Sequence, residues 1–371
     1  MANRKVTLDV SDNVIAGAVL ANFFPDKTSR LIEAHDSDHA QVVVNKGGYY
    51  IPLNIGTGWF LIDTATNVDI VDDLDEGIPE AGKDYYVYAC DNSGLLTFKI
   101  SSASTWPGGF NAENSRKIGG FHTLCVSVGT FSGHALSGYV AGDILPQSIW
   151  DLKHRARCGN NAGMVYDHKS NLWVDIYLAS GTGASTASVN GGTISDTRNW
   201  MDFVDDGGAL GKRLLTDREF QLATAGVYAG RNIVYNDDPV TTGGHVNSSS
   251  QRMISNIGCE DMAGAMWQWL QDQSFRFDGA ANHTHTVTVT GDPQTVTTGN
   301  PSGDVAPSWS YSALPGAQGK LYRQGSSGDI KLVAGGLWNA GENCGPRGRD
   351  ARWTRWDANQ YIGARFASEP L

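Results

Sequence analysis

Side chains suited to molecular recognition are concentrated near the C-terminus, in the segment 338–361. This segment contains four arginines and four large aromatic residues, which are types that dominate binding hot spots. They are Arg347, Arg349, Arg352, Arg355, Trp338, Trp353, Trp356 and Tyr361. The segment has no helix or strand periodicity. It is therefore interpreted as a recognition surface, while an irregular loop with its aromatic rings packed inward stays open as the alternative.

Electrostatics also separates this segment from the rest of the protein. From Lys331 to the last residue, six Lys or Arg stand against four Asp or Glu, whereas the whole chain has a net charge of -11. An acidic chain lacks the basic footprint that phosphate binding requires, so no nucleic-acid partner is expected.

Residues that could do catalysis or bind a metal show no recognisable pattern. The five cysteines are scattered without metal-ligand spacing, at Cys90, Cys125, Cys158, Cys259 and Cys344. His283 and His285 would project from the same face of a strand, but no third ligand accompanies them, and we interpret them as part of a polar, β-prone insertion. His122 is interpreted as a structural histidine. We therefore expect no enzymatic activity and no cofactor. Metal binding stays unassigned, with a structural divalent cation such as calcium left open.

Composition indicates a β-rich protein with many turns. Among 371 residues there are 45 glycines, and only 18% are charged. The N-terminus lacks the apolar core of a signal peptide, and no apolar run is long enough to span a membrane. Synthesis in the cytoplasm without a signal peptide, and no membrane insertion, are expected.

The elements that would position the C-terminal segment follow from the order of the chain. Residues 1–40 are interpreted as an attachment or assembly segment. Short β-branched or aromatic runs separated by Gly, Asn and Asp predict a β-sandwich-like domain over 41–145. These runs lie at 41–44, 49–53, 59–62, 85–89, 94–100 and 117–122. A third region, 146–371, contains a polar insertion at 276–330.

Two helices are predicted within this third region. Trp200, Phe203 and Val204 lie near helical spacing in 199–210. The second helix, at 216–223, has a stronger signal, because Thr216 and Glu219 form a capping box in which each side chain satisfies a free backbone N–H group of the other.

The C-terminal motifs resemble the variable region of proteins diversified by diversity-generating retroelements. The motifs are Gly335-Gly336-Leu337-Trp338, Gly345-Pro346-Arg347 and Ile362-Gly363-Ala364-Arg365, in order and without a gap. Met266-Trp267-Gln268-Trp269 resembles a signature of the formylglycine-generating-enzyme branch of C-type lectin folds, with Gln268 in place of the usual Glu. The resemblance implies an α+β protein whose C-terminal C-type lectin-like domain follows a β-rich, sandwich-like N-terminal half.

The resemblance also implies a function. Such proteins bind host-surface receptors, protein or glycan, through a variable patch at the tip of a phage or prophage tail fibre, as homotrimers on the virion. The variable region would be 335–365. Its ligand-binding positions would be Leu337, Asn339, Ala340, Gly341, Asn343, Asp350, Arg352, Trp353, Asp357, Asn359 and Tyr361. Its scaffold would be Gly335, Gly336, Trp338, Gly345, Arg347, Gly363, Ala364 and Arg365.

This division leads to an expectation about exposure. Ligand-binding positions should face solvent, so replacing the expected anchors Trp353 or Tyr361 with Ala should abolish receptor binding and leave the melting temperature almost unchanged. Two alternatives stay open. One is a carbohydrate-binding lectin of fixed specificity, although the residue triplets of calcium-dependent lectins are missing. The other is an oxidase like the formylglycine-generating enzymes, whose copper site needs two neighbouring thiols where only Cys344 is present.

Overall fold

The computed structural model describes residues 29–276, 284–289, 292–297, 308–310, 320–322, 328–341 and 344–371. The chain divides into two compact units. The first contains the residues up to 126, together with 139–155 and Leu371, and the second contains 127–138 and 156–370. Among the described residues, no helix has the length and apolar character needed to cross a membrane.

The first unit is built from antiparallel strands, because its sequence alternates short apolar runs with tight turns. The strands are β1 (Ile32–Ala34), β2 (Gln41–Val44), β3 (Ile51–Ile55), β4 (Gly58–Ile62), β5 (Thr66–Asp69), β6 (Asp84–Asn92), β7 (Leu95–Ser101), β8 (Ser115–His122) and β9 (Trp150–Asp151). They form sheets of order β1-β2-β5, β3-β4 and β7-β6-β8-β9. Each apolar run named above overlaps one of these strands, which confirms the β-rich N-terminal half.

Local sequence explains the register of these strands. In β3, Ile51, Leu53 and Ile55 point into the core while the residues between them are more exposed. The β6–β7 hairpin turns on Ser93 and Gly94, both with positive φ, which is the geometry that matches the right-handed strand twist.

Two regions of the first unit bear on the sequence interpretations. Within the expected attachment segment 1–40, residues 1–28 lie outside the described part of the chain, while β1 pairs with β2 and contributes Ile32 to the core. His122 is 2% exposed, and its Nδ1 lies 3.0 Å from Asp84 Oδ1, which fits a structural role.

The second unit contains both helices and the C-terminal strands. The strands are β10 (Met164–Asp167), β11 (Leu172–Asp175), β12 (Arg213–Leu214), β13 (Trp267–Arg276), β14 (Thr284–Val289), β15 (Asp292–Thr297), β16 (Ser308–Ser310), β17 (Lys320–Tyr322), β18 (Gly328–Gly335), β19 (Gly345–Thr354), β20 (Ile362–Gly363) and β21 (Phe366–Ser368). The first sheet has the order β10-β11-β21-β12 and the second has the order β16-β17-β19-β18-β13-β20, with a separate β14-β15 hairpin.

The predicted helices are confirmed as α1 (Trp200–Ala209) and α2 (Asp217–Ala223). The Thr216–Glu219 capping box of α2 is present as predicted. A second box, between Asn199 and Asp202, begins α1 and was not predicted, although Asn and Asp at this spacing are a usable signal.

The polar insertion contributes strands in the parts that are described. His285 pairs with Val296 in the β14-β15 hairpin, while His283 lies outside the described residues. The expected β-prone character of this region therefore holds for β14 to β17.

Candidate functional site

The C-terminal segment leaves β18 through two glycines, at positions where any side chain would clash with nearby atoms. It is not irregular throughout, because it contains the strand β19, which the sequence pattern did not predict. Gly335 is the last residue of β18 and Gly336 follows it, with φ of 98° and 92°. A Cβ atom on Gly335 would lie 2.7 Å from the carbonyl oxygen of Met262, and one on Gly336 would lie 2.8 Å from Cα of Cys344. Any side chain here would meet backbone that cannot move aside, so these positions determine where the segment turns.

Arg365 ties the end of the segment to distant backbone. It is 1% exposed, and its guanidinium donates to the carbonyl oxygens of Asp175, Ile176 and Glu260. Its Nε donates to Oε1 of Gln268 at 3.2 Å. This is the role expected for an arginine of the scaffold, because the guanidinium carries several N–H donors in a fixed geometry.

Gln268 extends this hydrogen-bond network by using both the oxygen and the nitrogen of its side-chain amide. Its Nε2 donates to the carbonyl oxygens of Asp261 and Met262 at 3.0 and 3.1 Å. A carboxylate has no N–H to donate there, so the Gln found in place of the usual Glu matches its surroundings.

The remaining scaffold positions are also buried. Trp338 is 6% exposed, and its carbonyl oxygen accepts a hydrogen bond from the Asn232 side chain. Gly363 lies where a Cβ would come within 2.8 Å of Met266 Sδ. Gly345, Arg347 and Ala364 are buried as well.

A second buried arginine was missed by sequence reasoning. Arg349 is 0% exposed, donates to the Asp217 carboxylate and to the carbonyl oxygens of Pro346 and Gly348, and lies over the Phe220 ring. Its spacing of two residues from Arg347 within β19 was the available signal, since alternate residues of a strand share a face.

Several described side chains of the segment are exposed, including three that are large or polar enough to make contacts. Trp356 is 69% exposed, Tyr361 is 37% exposed, and Asn339 faces solvent. The centroids of the Tyr361 and Trp338 rings are 5.2 Å apart, so the exposed Tyr361 packs against the buried Trp338. Trp356 was not among the expected ligand-binding positions, although it lies three residues from Trp353 in an aromatic-rich run.

Other expected ligand-binding positions do not face solvent, contrary to expectation. Asp350 is 0% exposed, because β19 is an inner strand that pairs with β17 on one side and β18 on the other. Leu337 and Trp353 are partly buried, and both pack against the core cluster that contains Trp267 and Phe366. Trp353 is therefore partly a core residue rather than a free anchor.

Polar positions of the segment shape its turns. The Asp357 carboxylate accepts from N and Oγ1 of Thr354 at 2.6 and 2.9 Å, and Asn359 Oδ1 accepts from the Tyr361 N–H at 2.9 Å. Ala340 and Gly341 are half-buried. Asn343 and the side chain of Arg352 lie outside the described part of the chain.

The thiols nearest the site are buried. Cys344 Sγ donates to the Leu337 carbonyl oxygen at 3.3 Å, and burial raises the pKa of Cys344 to about 12. Cys259 is 0% exposed, and burial raises its pKa to about 12 as well. Among the residues described, no group of three or more His, Cys, Asp or Glu is arranged to hold a metal ion.

Comparison with known proteins first defines the class of fold. Residues 33–151 match the family model described as Mtd second domain. Similarity to solved structures of the Major Tropism Determinant gives the fold of the chain, a C-type lectin-like domain that follows a β-rich N-terminal half in the sequence, as the sequence indicated. The chain resembles the Major Tropism Determinant along nearly its whole length.

The particular relatives are receptor-binding and tropism proteins by their descriptions. The chain is 24% identical to the tail fiber receptor-binding protein of Bordetella phage BPP-1, over 93% of this chain and 88% of that protein. The solved Major Tropism Determinant U1 variant matches 93% of this chain and 85% of its own at 21% identity with a TM-score of 0.66. The P3c variant matches the same shares at 22% identity and a TM-score of 0.67.

Proposed function

We propose that this protein is a retroelement-diversified receptor-binding protein at the tip of a phage or prophage tail fibre. One observation carries the proposal. Asn339, Trp356 and Tyr361 are exposed on a backbone that buried glycines and Arg365 hold in place. The descriptions of its relatives as a tail fibre receptor-binding protein and as tropism determinants support it.

The physical basis is the separation of display from stability. An exposed side chain can change with an effect on the free energy of unfolding that is usually within about 0.5 kcal/mol, whereas a buried one usually cannot. One backbone can then present many sets of side chains to different host-surface proteins or glycans. We propose the full set of variable positions given above, with Trp356 added as a contact residue and with Asp350, Leu337 and Trp353 limited by packing to conservative changes.

Assembly would strengthen weak contacts. A homotrimer on the fibre would present three patches, so that a second contact forms at high effective concentration once the first is made. Binding to a host surface from a virion needs this gain, because a small patch alone buries limited area.

Population sequencing tests diversification directly. Codons from Lys331 to Leu371 are sequenced deeply across a population of the source, together with an upstream window of equal length. We expect substitutions to cluster at the codons for Leu337 to Tyr361 and to arise at adenines of a near-identical template copy. A window as invariant as the upstream one would contradict diversification and leave a protein of fixed specificity.

A glycan-binding lectin of fixed specificity is the second candidate, and the exposure of Trp356 favours it, since an exposed indole can stack on a sugar face. In that case a glycan array would give one ligand class for every natural version of the chain. Different ligands for different versions would exclude this candidate.

We propose that the protein is not an enzyme. A copper site of the formylglycine-generating type needs two neighbouring thiols near the C-terminus, and Cys344 is the one cysteine in the sequence from 331 to 371. The similar proteins are described as a receptor-binding protein and as tropism determinants, which supports a binding function.

A further inference from the structure

Tyr235 combines high exposure with an uncommon backbone conformation. It is 82% exposed, and its φ and ψ are 70° and -3°. The next residue, Asn236, also has positive φ, at 56°. Asn and Gly are the residues that tolerate this region, whereas a bulky side chain there is an outlier that stores strain. Among the described residues, the Tyr235 side chain makes no hydrogen bond or ring contact that would compensate.

The surrounding backbone holds this turn firmly. The N–H of Ile233 donates to Gly264 O at 2.9 Å, and the N–H of Val234 donates to Val246 O at 2.9 Å. Ile233 is 6% exposed and belongs to the same core cluster as Trp338. The conformation of Tyr235 is thus imposed from outside the residue, which is the condition under which strain persists.

The Asn232 side chain connects the turn to the candidate surface by hydrogen bonds. Asn232 is 4% exposed, and its Nδ2 donates to Oδ1 of Asn236 at 2.6 Å and to the carbonyl oxygen of Trp338. Trp338 is followed directly by the exposed Asn339, and its ring lies 5.2 Å from that of Tyr361. The turn that carries Tyr235 therefore borders the variable segment, although it lies far from it in sequence.

We propose that Tyr235 is a constant anchor of the receptor-binding surface, outside the variable segment, and this inference rests on the proposed function. Tyrosine offers a large, rigid contact area at a low cost in side-chain entropy, which makes it effective against many different partners. The partner is the protein face of a receptor that the variable positions select. Tyr235 would supply affinity common to all versions of the patch, and the variable side chains would supply the choice of target.

The experiment uses the full chain displayed with random residues at Asn339, Ala340, Trp356, Asn359 and Tyr361. Independent binders are selected against two defined proteins, lysozyme and streptavidin. Each binder is then remade with Tyr235→Ala, Tyr235→Asn or Tyr235→Phe, and Kd and Tm are measured. We expect Ala and Asn to weaken most binders of both targets by about tenfold, and Phe by less than about threefold.

The melting temperature of the variants distinguishes a binding role of Tyr235 from a structural role. Because Asn tolerates positive φ, Tyr235→Asn is expected to keep or raise Tm while binding is lost. Trp106→Ala, which removes a 46% exposed aromatic from the first unit, serves as the matched control and should leave Kd unchanged.

Three outcomes would overturn the inference. Binders that keep their affinity after Tyr235→Ala would show that Tyr235 lies outside the surface, while the proposed function stands. A fall in Tm of the Asn variant that parallels the loss of binding would assign Tyr235 a structural role. A library that yields no binder to either protein would contradict the proposed function itself and this inference with it.

Discussion

At the scale of single residues, burial divides the C-terminal segment into two kinds of position. Arg349 and Arg365 are charged yet fully buried, because each finds several carbonyl or carboxylate acceptors. Trp356 and Tyr361 are aromatic, yet both side chains are exposed to solvent. The residue types alone would predict the opposite arrangement.

Replacing an exposed aromatic should separate binding from stability. Trp356→Ala and Tyr361→Ala are each expected to weaken binding to host cells or to selected targets by about tenfold. The change in unfolding free energy should stay within about 0.5 kcal/mol for Trp356→Ala and reach about 1 kcal/mol for Tyr361→Ala, whose ring packs on that of Trp338. Titration of binding and thermal unfolding of the same variants provide the measurement. Trp353→Ala is the contrasting variant: since Trp353 packs against the core, it should cost about 1–3 kcal/mol of stability. A stable Trp353→Ala protein would show that this contact contributes little.

Arg365→Lys should destabilise the second unit even though the charge is kept. A lysine ammonium cannot reach acceptors that lie on several sides, and each buried carbonyl left unpaired costs about 1–3 kcal/mol. We expect a loss of at least about 2 kcal/mol, measured by denaturant unfolding monitored by tryptophan fluorescence. Wild-type stability in this variant would mean that the network around Arg365 does not support the fold.

At the scale of elements, the loop between α2 and β13 supports the candidate site through backbone carbonyl groups. Its carbonyl groups at Glu260, Asp261 and Met262 receive the hydrogen bonds of Arg365 and Gln268. Buried charges hold the loop itself. Arg252 pairs with Glu260 at 2.6 Å, and His245 Nδ1 lies 2.9 Å from Asp261 Oδ2. Changes in this loop should therefore reach the display surface through Arg365.

The His245–Asp261 pair predicts a dependence of stability on pH. The Asp261 carboxylate raises the pKa of His245 above its ordinary value of 6.5, against the opposing effect of burial. Because the pKa of His245 is higher in the folded state, the protonated histidine stabilises the fold fully below pH 6.5. This stabilisation is lost as pH rises through the folded-state pKa. Stability should therefore fall as pH rises across this range. Unfolding of the wild type and of His245→Asn between pH 5.5 and pH 9 checks it, and an equal slope in both would contradict the assignment.

At the scale of the whole molecule, the proposed display depends on assembly. The two units each have their own core, and the candidate surface belongs to the second. Sedimentation of the full chain is expected to give three times the 39.8 kDa mass of one copy. Dilution to a monomer should then reduce binding to cells by about a hundredfold or more, because multivalency is lost. A chain that sediments as a monomer at micromolar concentration would contradict the trimer.

Sequence alone determined the features that depend on neighbours in the chain. The Thr216–Glu219 box predicted α2 because the partners are three residues apart, and short apolar runs predicted the strands of the first unit because side chains alternate along a strand. The order of the Gly-Gly-Leu-Trp, Gly-Pro-Arg and Ile-Gly-Ala-Arg motifs pointed to the fold class.

Tertiary structure alone decided which side chains of the candidate site face solvent. Asp350 is buried by strands on both of its sides, Trp356 is exposed, and Arg365 finds acceptors at Asp175 and Glu260. Tyr235 borders the site through Asn232, which donates a hydrogen bond to the carbonyl oxygen of Trp338. Each of these facts depends on contacts between residues far apart in sequence, and the burial of a side chain is set by all of these contacts together. The local sequence pattern around a residue therefore cannot predict whether its side chain is buried.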